Sequence, residues 1–176
     1  MIGRIAFAAA ALLVAPAATA QSIPGTVEGI VGDLAYGYCP MYLAGEFPLV
    51  GNDQLKKLGF TGAPNSTSSP GVGSLTFVSQ KRDGITITFG GVPDQLCQIN
   101  IVGPGAPSVL EKVRAKLSLL PYDFKPDPAN SGTQANGSAE QLVAKVDDKT
   151  VLRVAFIRTT VEGSPTTSIM LYFMDQ

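Results

Sequence analysis

Alternation of apolar and polar residues is the clearest signal along the chain. Ile85, Ile87 and Phe89 alternate with Thr86 and Thr88, and Cys97, Ile99 and Ile101 alternate with Gln98 and Asn100. A period of two marks strands with one buried face. The pattern predicts strands over 74–80, 85–90 and 94–102. The first two are joined by Lys81-Arg82-Asp83-Gly84, where Asp-Gly is a strong hairpin signal. Three more strands are predicted at 140–147, 151–160 and 166–174, with turns at Asp147-Asp148-Lys149 and Glu162-Gly163-Ser164-Pro165. Pro165 has no N–H for a ladder, so it belongs to the turn or the very start of the last strand.

Helical spacing occupies the remaining apolar stretches. Val27, Ile30, Val31, Leu34, Tyr38 and Met41 predict a helix over 24–44, kinked or broken at Pro40. Gly25, Gly29, Gly32 and Gly37 recur in it, each at a cost of about 1 kcal/mol relative to alanine. Two readings compete: the glycines allow close packing of this helix on the sheet, which is the favoured one, or the helix is irregular and held by tertiary contacts. A short helix over 52–58 has Asn52 or Asp53 as cap and Gly59 as stop. The best helix covers 108–120, with Pro107 at its start, a stripe of Val109, Leu110, Val113, Leu117 and Leu120, and Pro121 as its end. The segments 61–73 and 121–138, rich in Pro, Gly, Asn and Ser, are expected to be exposed loops.

Helix then three strands therefore occurs twice. The expected fold is α+β, an antiparallel sheet with helices packed on one face, in a tandem α-β-β-β arrangement. No residues match between the two halves at a fixed offset, so the repetition is one of architecture.

The N-terminus changes the picture of where the protein works. Arg4 precedes the apolar run from Ile5 to Val14, Pro16 breaks it, and Ala18-Thr19-Ala20 fits the small-x-small cleavage rule. The reading is a signal peptide over 1–20 and one domain over 21–176, periplasmic or secreted. The run falls short of the ~20 residues of a spanning helix. Gln21 at the new N-terminus excludes acylation of a cysteine there. Losing Arg4 moves the formal charge from −1 to −2. Clusters of Lys and Arg that would suit nucleic acid or an anionic membrane are lacking.

Cys39 and Cys97 are the only two cysteines. In an exported chain they read as one disulfide, with free thiols or an intermolecular bond as alternatives. Histidine is absent, which removes the commonest general base and metal ligand. Tryptophan is absent too, which weakens a carbohydrate-stacking reading.

Candidate chemistry is sparse. Gly103-Pro104-Gly105 between strand and helix has the context of a dinucleotide turn, but Pro104 and Pro107 remove N–H donors and Ser108 stands where Gly or Ala is expected. Asp147-Asp148 lacks the spacing of a calcium loop, and neither cysteine has a base beside it in sequence. No catalytic, cofactor or metal residues are assigned. The last strand is apolar on both faces. That fits either a central strand or a patch of Met170, Tyr172 and Met174, with Ala155 and Ile157 beside them, for a partner or apolar ligand.

Cys39-Pro40 followed by Gly45, then Leu58-Gly59-Phe60, then a strand cysteine leading through Gly103 into a helix, resembles a set of small exported proteobacterial proteins of unknown function. The likeness spans about residues 34–120. It implies export and a paired cysteine, and carries over no activity. The expectation is a non-enzymatic binding or interaction protein of the cell envelope, with an envelope protein, an apolar ligand or a second copy as partner. The alternatives are a histidine-free, carboxylate-based hydrolase or a structural assembly protein.

Overall fold

A computed structural model describes residues 25–69 and 73–175. The signal-peptide reading falls outside them. Thr26 caps the first helix, its hydroxyl accepting from the Gly29 N–H. This helix, α1 (Val27–Asp33), passes into a π-helical turn, Leu34–Tyr38, and on into α2 (Cys39–Leu43). The wide turn explains how the chain passes Pro40 without a break. The Cys39 N–H donates to the Leu34 carbonyl, five residues back. The proline then sits in the first turn of α2, where its missing N–H costs little. The close-packing account of the glycines does not hold at two of them. A Cβ at Gly32 or Gly37 would meet nothing within 4 Å.

Helix α3 (Asp53–Lys57) is capped by Asn52, whose Oδ1 accepts from the N–H groups of Gln54 and Leu55. Helix α4 (Ala106–Arg114) begins two residues before the predicted start. It gives way to a 3₁₀ turn at Leu117–Leu119, so the apolar stripe bends rather than running straight. Val109, Leu110, Val113 and Leu120 are buried, and Leu117 is half-buried.

The strands form one antiparallel sheet. They are β1 (Asn65–Ser69), β2 (Gly73–Arg82), β3 (Ile85–Val92), β4 (Leu96–Val102), β5 (Lys125–Pro126), β6 (Gly132–Gln134), β7 (Gly137–Lys145), β8 (Thr150–Val161) and β9 (Ser164–Asp175). Their order is β1-β2-β3-β4-β9-β8-β7-β5, with β6 also on β7. Asp83 and Gly84, with φ of 52° and 76°, make the hairpin between β2 and β3.

Two expected loops are corrected. Residues 65–69 form the edge strand β1, with Asn65 opposite Phe77 and Thr67 opposite Leu75. A run of Asn, Ser and Thr has no apolar alternation to announce it, and the Ser66 and Thr76 hydroxyls, 3.0 Å apart, join it to β2. The 121–138 segment folds back along β7, supplying β5 and β6.

One face of the sheet carries the core. Ile87, Phe89, Cys97, Ile99, Ile101, Val154, Phe156, Ile169 and Leu171 are buried there with the helical residues Ile30, Val31, Leu34, Tyr42 and Leu110. The helices are tied together and to the sheet. The Tyr36 hydroxyl donates to the Val113 carbonyl at 2.6 Å, and Lys112 pairs with Glu28. Arg114 pairs with Glu140 on β7, and Glu111 with Arg158 on β8. Cys39 and Cys97 are joined, Cα to Cα 5.5 Å, with no solvent exposure at either.

The two helix-plus-three-strand units meet at the centre. Their third strands, β4 and β9, lie antiparallel with Ile99 opposite Ile169. A twofold axis through that pair, perpendicular to the sheet, carries β2-β3-β4 onto β7-β8-β9. Phe89, opposite Ile99, then falls on Phe156, opposite Ile169. Ile87, opposite Ile101, falls on Val154, opposite Leu171.

Candidate functional site

Among the described residues, no helix lies on the opposite face of the sheet. Strand register assigns it row by row. Leu96, Tyr172, Arg153 and Val143 lie side by side; Gln98, Met170, Ala155 and Gln141 form the next row, and Asn100, Ser168, Ile157 and Ala139 the third. The five residues expected to form a patch therefore share this face. Met170 pairs directly with Ala155, and Met174, opposite Val151, stands at the end beyond Tyr172. Their exposure differs. Ala155 is buried, Ile157, Met170 and Tyr172 are half-buried, and Met174 is exposed.

Polar side chains run through these apolar ones and bond to each other. The Ser168 hydroxyl donates to Asn100 Oδ1 at 2.7 Å, and Gln98 Nε2 donates to the same oxygen at 2.8 Å. The Tyr172 hydroxyl donates to Gln141 Oε1 at 3.1 Å. The face is mixed rather than greasy, and the alternation along β9 hides this because its polar partners come from β4 and β7.

The 121–138 segment reaches the same face from the sheet edge. The Asp127 N–H donates to the Gln141 carbonyl at 2.8 Å. The Ser131 hydroxyl donates to the Asp127 carbonyl at 2.7 Å and accepts from the Gln141 N–H at 2.8 Å. Asp127 then extends over β7 to Arg153, Oδ2 to Nη1 3.0 Å, with side-chain exposures of 11% and 20%. Arg153 Nε is buried and has no hydrogen-bond partner.

Where the segment meets the sheet there is a cleft of about 430 Å³, bounded by residues 129–139 on one side and Ile157, Arg158 and Thr159 on the other. Its polar groups are amides and hydroxyls of Asn130, Ser131, Gln134, Asn136, Ser138 and Thr159. Its one ionisable group is Arg158, held by Glu111. Gly137 closes the floor, since a Cβ there would lie 2.1 Å from the Arg158 carbonyl oxygen.

Elsewhere the ionisable groups serve the scaffold. The Arg114 guanidinium holds the Glu140 carboxyl below its usual range, and hydrogen bonding from Lys112 does the same for Glu28. The Lys149 N–H, backed by that of Thr150, lowers the Asp147 carboxyl, which marks Asp147-Asp148 as a turn that satisfies its own backbone. Burial pushes the Tyr42 phenol up to about 12, with the Asp94 charge adding to it. Among the described residues, no three Asp, Glu or Cys side chains cluster as metal ligands would, and no helix is long and apolar enough to cross a membrane. The turn at Gly103 is used structurally. A Cβ there would lie 2.9 Å from the Gly84 carbonyl oxygen, and its N–H donates to the Pro165 carbonyl at 2.9 Å.

Sequence reasoning located the open-face apolar residues. It missed Asp127, Arg153 and Gln141, whose only signal was a charged or amide residue on the outward side of a strand or in a loop. Comparison with protein-family models, with curated proteins and with solved structures finds no match.

Proposed function

We propose that the chain is an exported, non-enzymatic binding protein of the bacterial cell envelope that engages a partner on the helix-free face, at the cleft beside the 121–138 segment. One observation carries the reading. Ile157, from the apolar set on β8 and β9, lines the same cleft as residues 129–138. The two features expected from sequence to serve binding thus adjoin at Ile157, which sets one residue of the apolar set beside the uncharged donors and acceptors of the cleft. The cleft has no carboxylate in its lining. The acidic groups with shifted pKa values are all lowered by cations or backbone N–H groups, the opposite of what a general acid requires. A buried disulfide suits an oxidising compartment such as the periplasm.

Photo-cross-linking in the native envelope tests this. A photoreactive residue in place of Ile157 captures a specific partner, and one in place of the exposed Glu46, beside the helices, does not. Tyr172→Ala combined with Met174→Ala weakens that capture. Equal labelling from both positions, or capture indifferent to the double substitution, rejects the reading.

A further inference from the structure

Arg153 is a cation on the helix-free face, flanked across the strands by Tyr172 and Val143. Its only ion-pair partner among the described residues is Asp127, which meets it through one nitrogen, Nη1, while Nε is buried and unpartnered. A guanidinium offers its donors as a fork, and a carboxylate satisfies that fork best by accepting two parallel N–H bonds. The contact with Asp127 is therefore an incomplete form of the pairing arginine is built for.

The segment that brings Asp127 there is weakly held. β5 contributes two paired residues and β6 three. Between them the attachments to β7 are the Asp127 N–H and the Ser131 hydroxyl, both on the Gln141 backbone. Releasing so few bonds is a local opening, far smaller than unfolding the sheet.

We infer that Asp127 is a built-in stand-in for an external carboxylate, and that Arg153 is a carboxylate-binding residue which a partner engages when Asp127 is displaced from it. This rests on the proposed use of the helix-free face and adds the chemistry of what is bound. A carboxylate that displaces Asp127 takes over Nη1 and can add the second parallel bond that Asp127 does not make. Tyr172 and Gln141 stand beside it as neutral hydrogen-bonding groups. The partner's acid would come from an Asp or Glu side chain or from a small free acid.

The test uses the full mature chain and two probes, sodium acetate and the blocked peptide acetyl-Ala-Glu-Ala-amide, followed by NMR at the Arg153 Nε–H and the Tyr172 amide. Asp127→Asn removes the competing charge at nearly constant shape. It is expected to bind one or both probes at least tenfold more tightly than the unmodified chain. Tighter binding of the peptide identifies a polypeptide source, and equal binding a free acid. In the Asp127→Asn background, Arg153→Lys keeps a cation but loses the fork, and the gain should fall away; Arg153→Gln should abolish it, with thermal unfolding confirming that each variant is folded. Equal affinity in Asp127→Asn and the unmodified chain, or binding that survives Arg153→Gln, overturns the inference. Cross-linking from Ile157 is read separately, so a failure of the carboxylate site and a failure of the face as a binding surface are distinguishable.

Discussion

Cys97 and Thr167 occupy equivalent places in the two units, and each fastens its own unit's helix to the sheet. Cys97, opposite Leu171, is bonded to Cys39 at the start of α2. Thr167, opposite Ile101, donates its hydroxyl to the Ala106 carbonyl in α4 at 3.4 Å. The twofold relation superposes the two, so a covalent anchor in one half matches a long hydrogen bond in the other. The expected consequences differ accordingly. With a sequence separation of 58 between the cysteines, the chain-entropy model assigns the crosslink ~4 kcal/mol. Cys39→Ala with Cys97→Ala should lower unfolding free energy by an amount of that order in urea titrations. Thr167→Val, which keeps the shape, should cost about 1 kcal/mol. Intact mass should rise by about 2 Da on reduction, one hydrogen per thiol. A mass that does not change on reduction contradicts the bond.

Gly137 is the position where the cleft and the sheet depend on one missing side chain. Its would-be Cβ lies 2.1 Å from the Arg158 carbonyl oxygen and 3.1 Å from the Thr159 Cα. Backbone cannot yield there without parting β7 from β8. Gly137→Ala is expected to destabilise by about 1–3 kcal/mol through strain and to accelerate amide exchange in 137–139 and 157–159. The same change at Gly132, where nothing lies within 4 Å, should leave both unaffected. Equal effects at the two glycines would show that the close approach is not what matters.

The strands announced by apolar alternation were legible because burial of one face imposes a period of two, and Ile85-Ile87-Phe89 and Cys97-Ile99-Ile101 lie within β3 and β4. The disulfide was legible because the sequence has two cysteines, one on the apolar face of a predicted strand and one in a predicted helix. The edge elements were not. β1 is Asn-Ser-Thr-Ser-Ser, and β5 and β6 are two and three residues long. What holds them is backbone pairing with the next long strand, β1 with β2 and both β5 and β6 with β7, which needs no apolar alternation in the short segments themselves. The twofold match was hidden for another reason. Ile99 and Ile169 are 70 positions apart, whereas Phe89 and Phe156 are 67 apart, so no single offset aligns both strands. The Asp127–Arg153 contact joins a loop to a strand across β7 and had no signal beyond the charge of each residue.

Acid should loosen the attachment of the helices. Glu140 and Glu28 both have folded-state pKa values below the unfolded value, through Arg114 and Lys112 respectively. A lowered carboxylate contributes stability that is fully present above its unfolded pKa, near 4.3, and is lost as pH falls through the folded value. Both pairs are partly exposed, so solvent screening keeps each contribution under about 1 kcal/mol. Stability should be flat between pH 6 and 7 as far as these groups are concerned, and decline below about 4.3. Glu140→Gln should be less stable than the unmodified chain at pH 7 and converge on it near pH 2. A difference that persists undiminished into acid would assign the effect to packing.

Phe89 and Phe156 provide a test of whether the two units share one core. Each is buried, each lies opposite an isoleucine of the central strand pair, and both belong to one continuous apolar cluster that includes Ile99 and Ile169. Surroundings differ, since Phe89 also meets Tyr42 and Phe47 edge-on, with centroids 5.8 and 6.0 Å away. Removing a buried phenylalanine costs about 3–5 kcal/mol through lost contact and the cavity left behind. Phe89→Ala should fall at the upper end because its aromatic contacts are lost as well. If the cluster is one cooperative unit, either substitution shifts a single unfolding transition, seen equally by tyrosine fluorescence and by far-ultraviolet circular dichroism. The probes are unevenly placed, because Tyr36, Tyr38 and Tyr42 lie in the first unit's helical segment. Independent units would therefore separate the signals, with Phe156→Ala melting β-structure while the tyrosine signal of the first unit held. Coincident transitions in both variants are the expected result, since Ile99 and Ile169 pack at the seam and neither half can lose its third strand without exposing the other's.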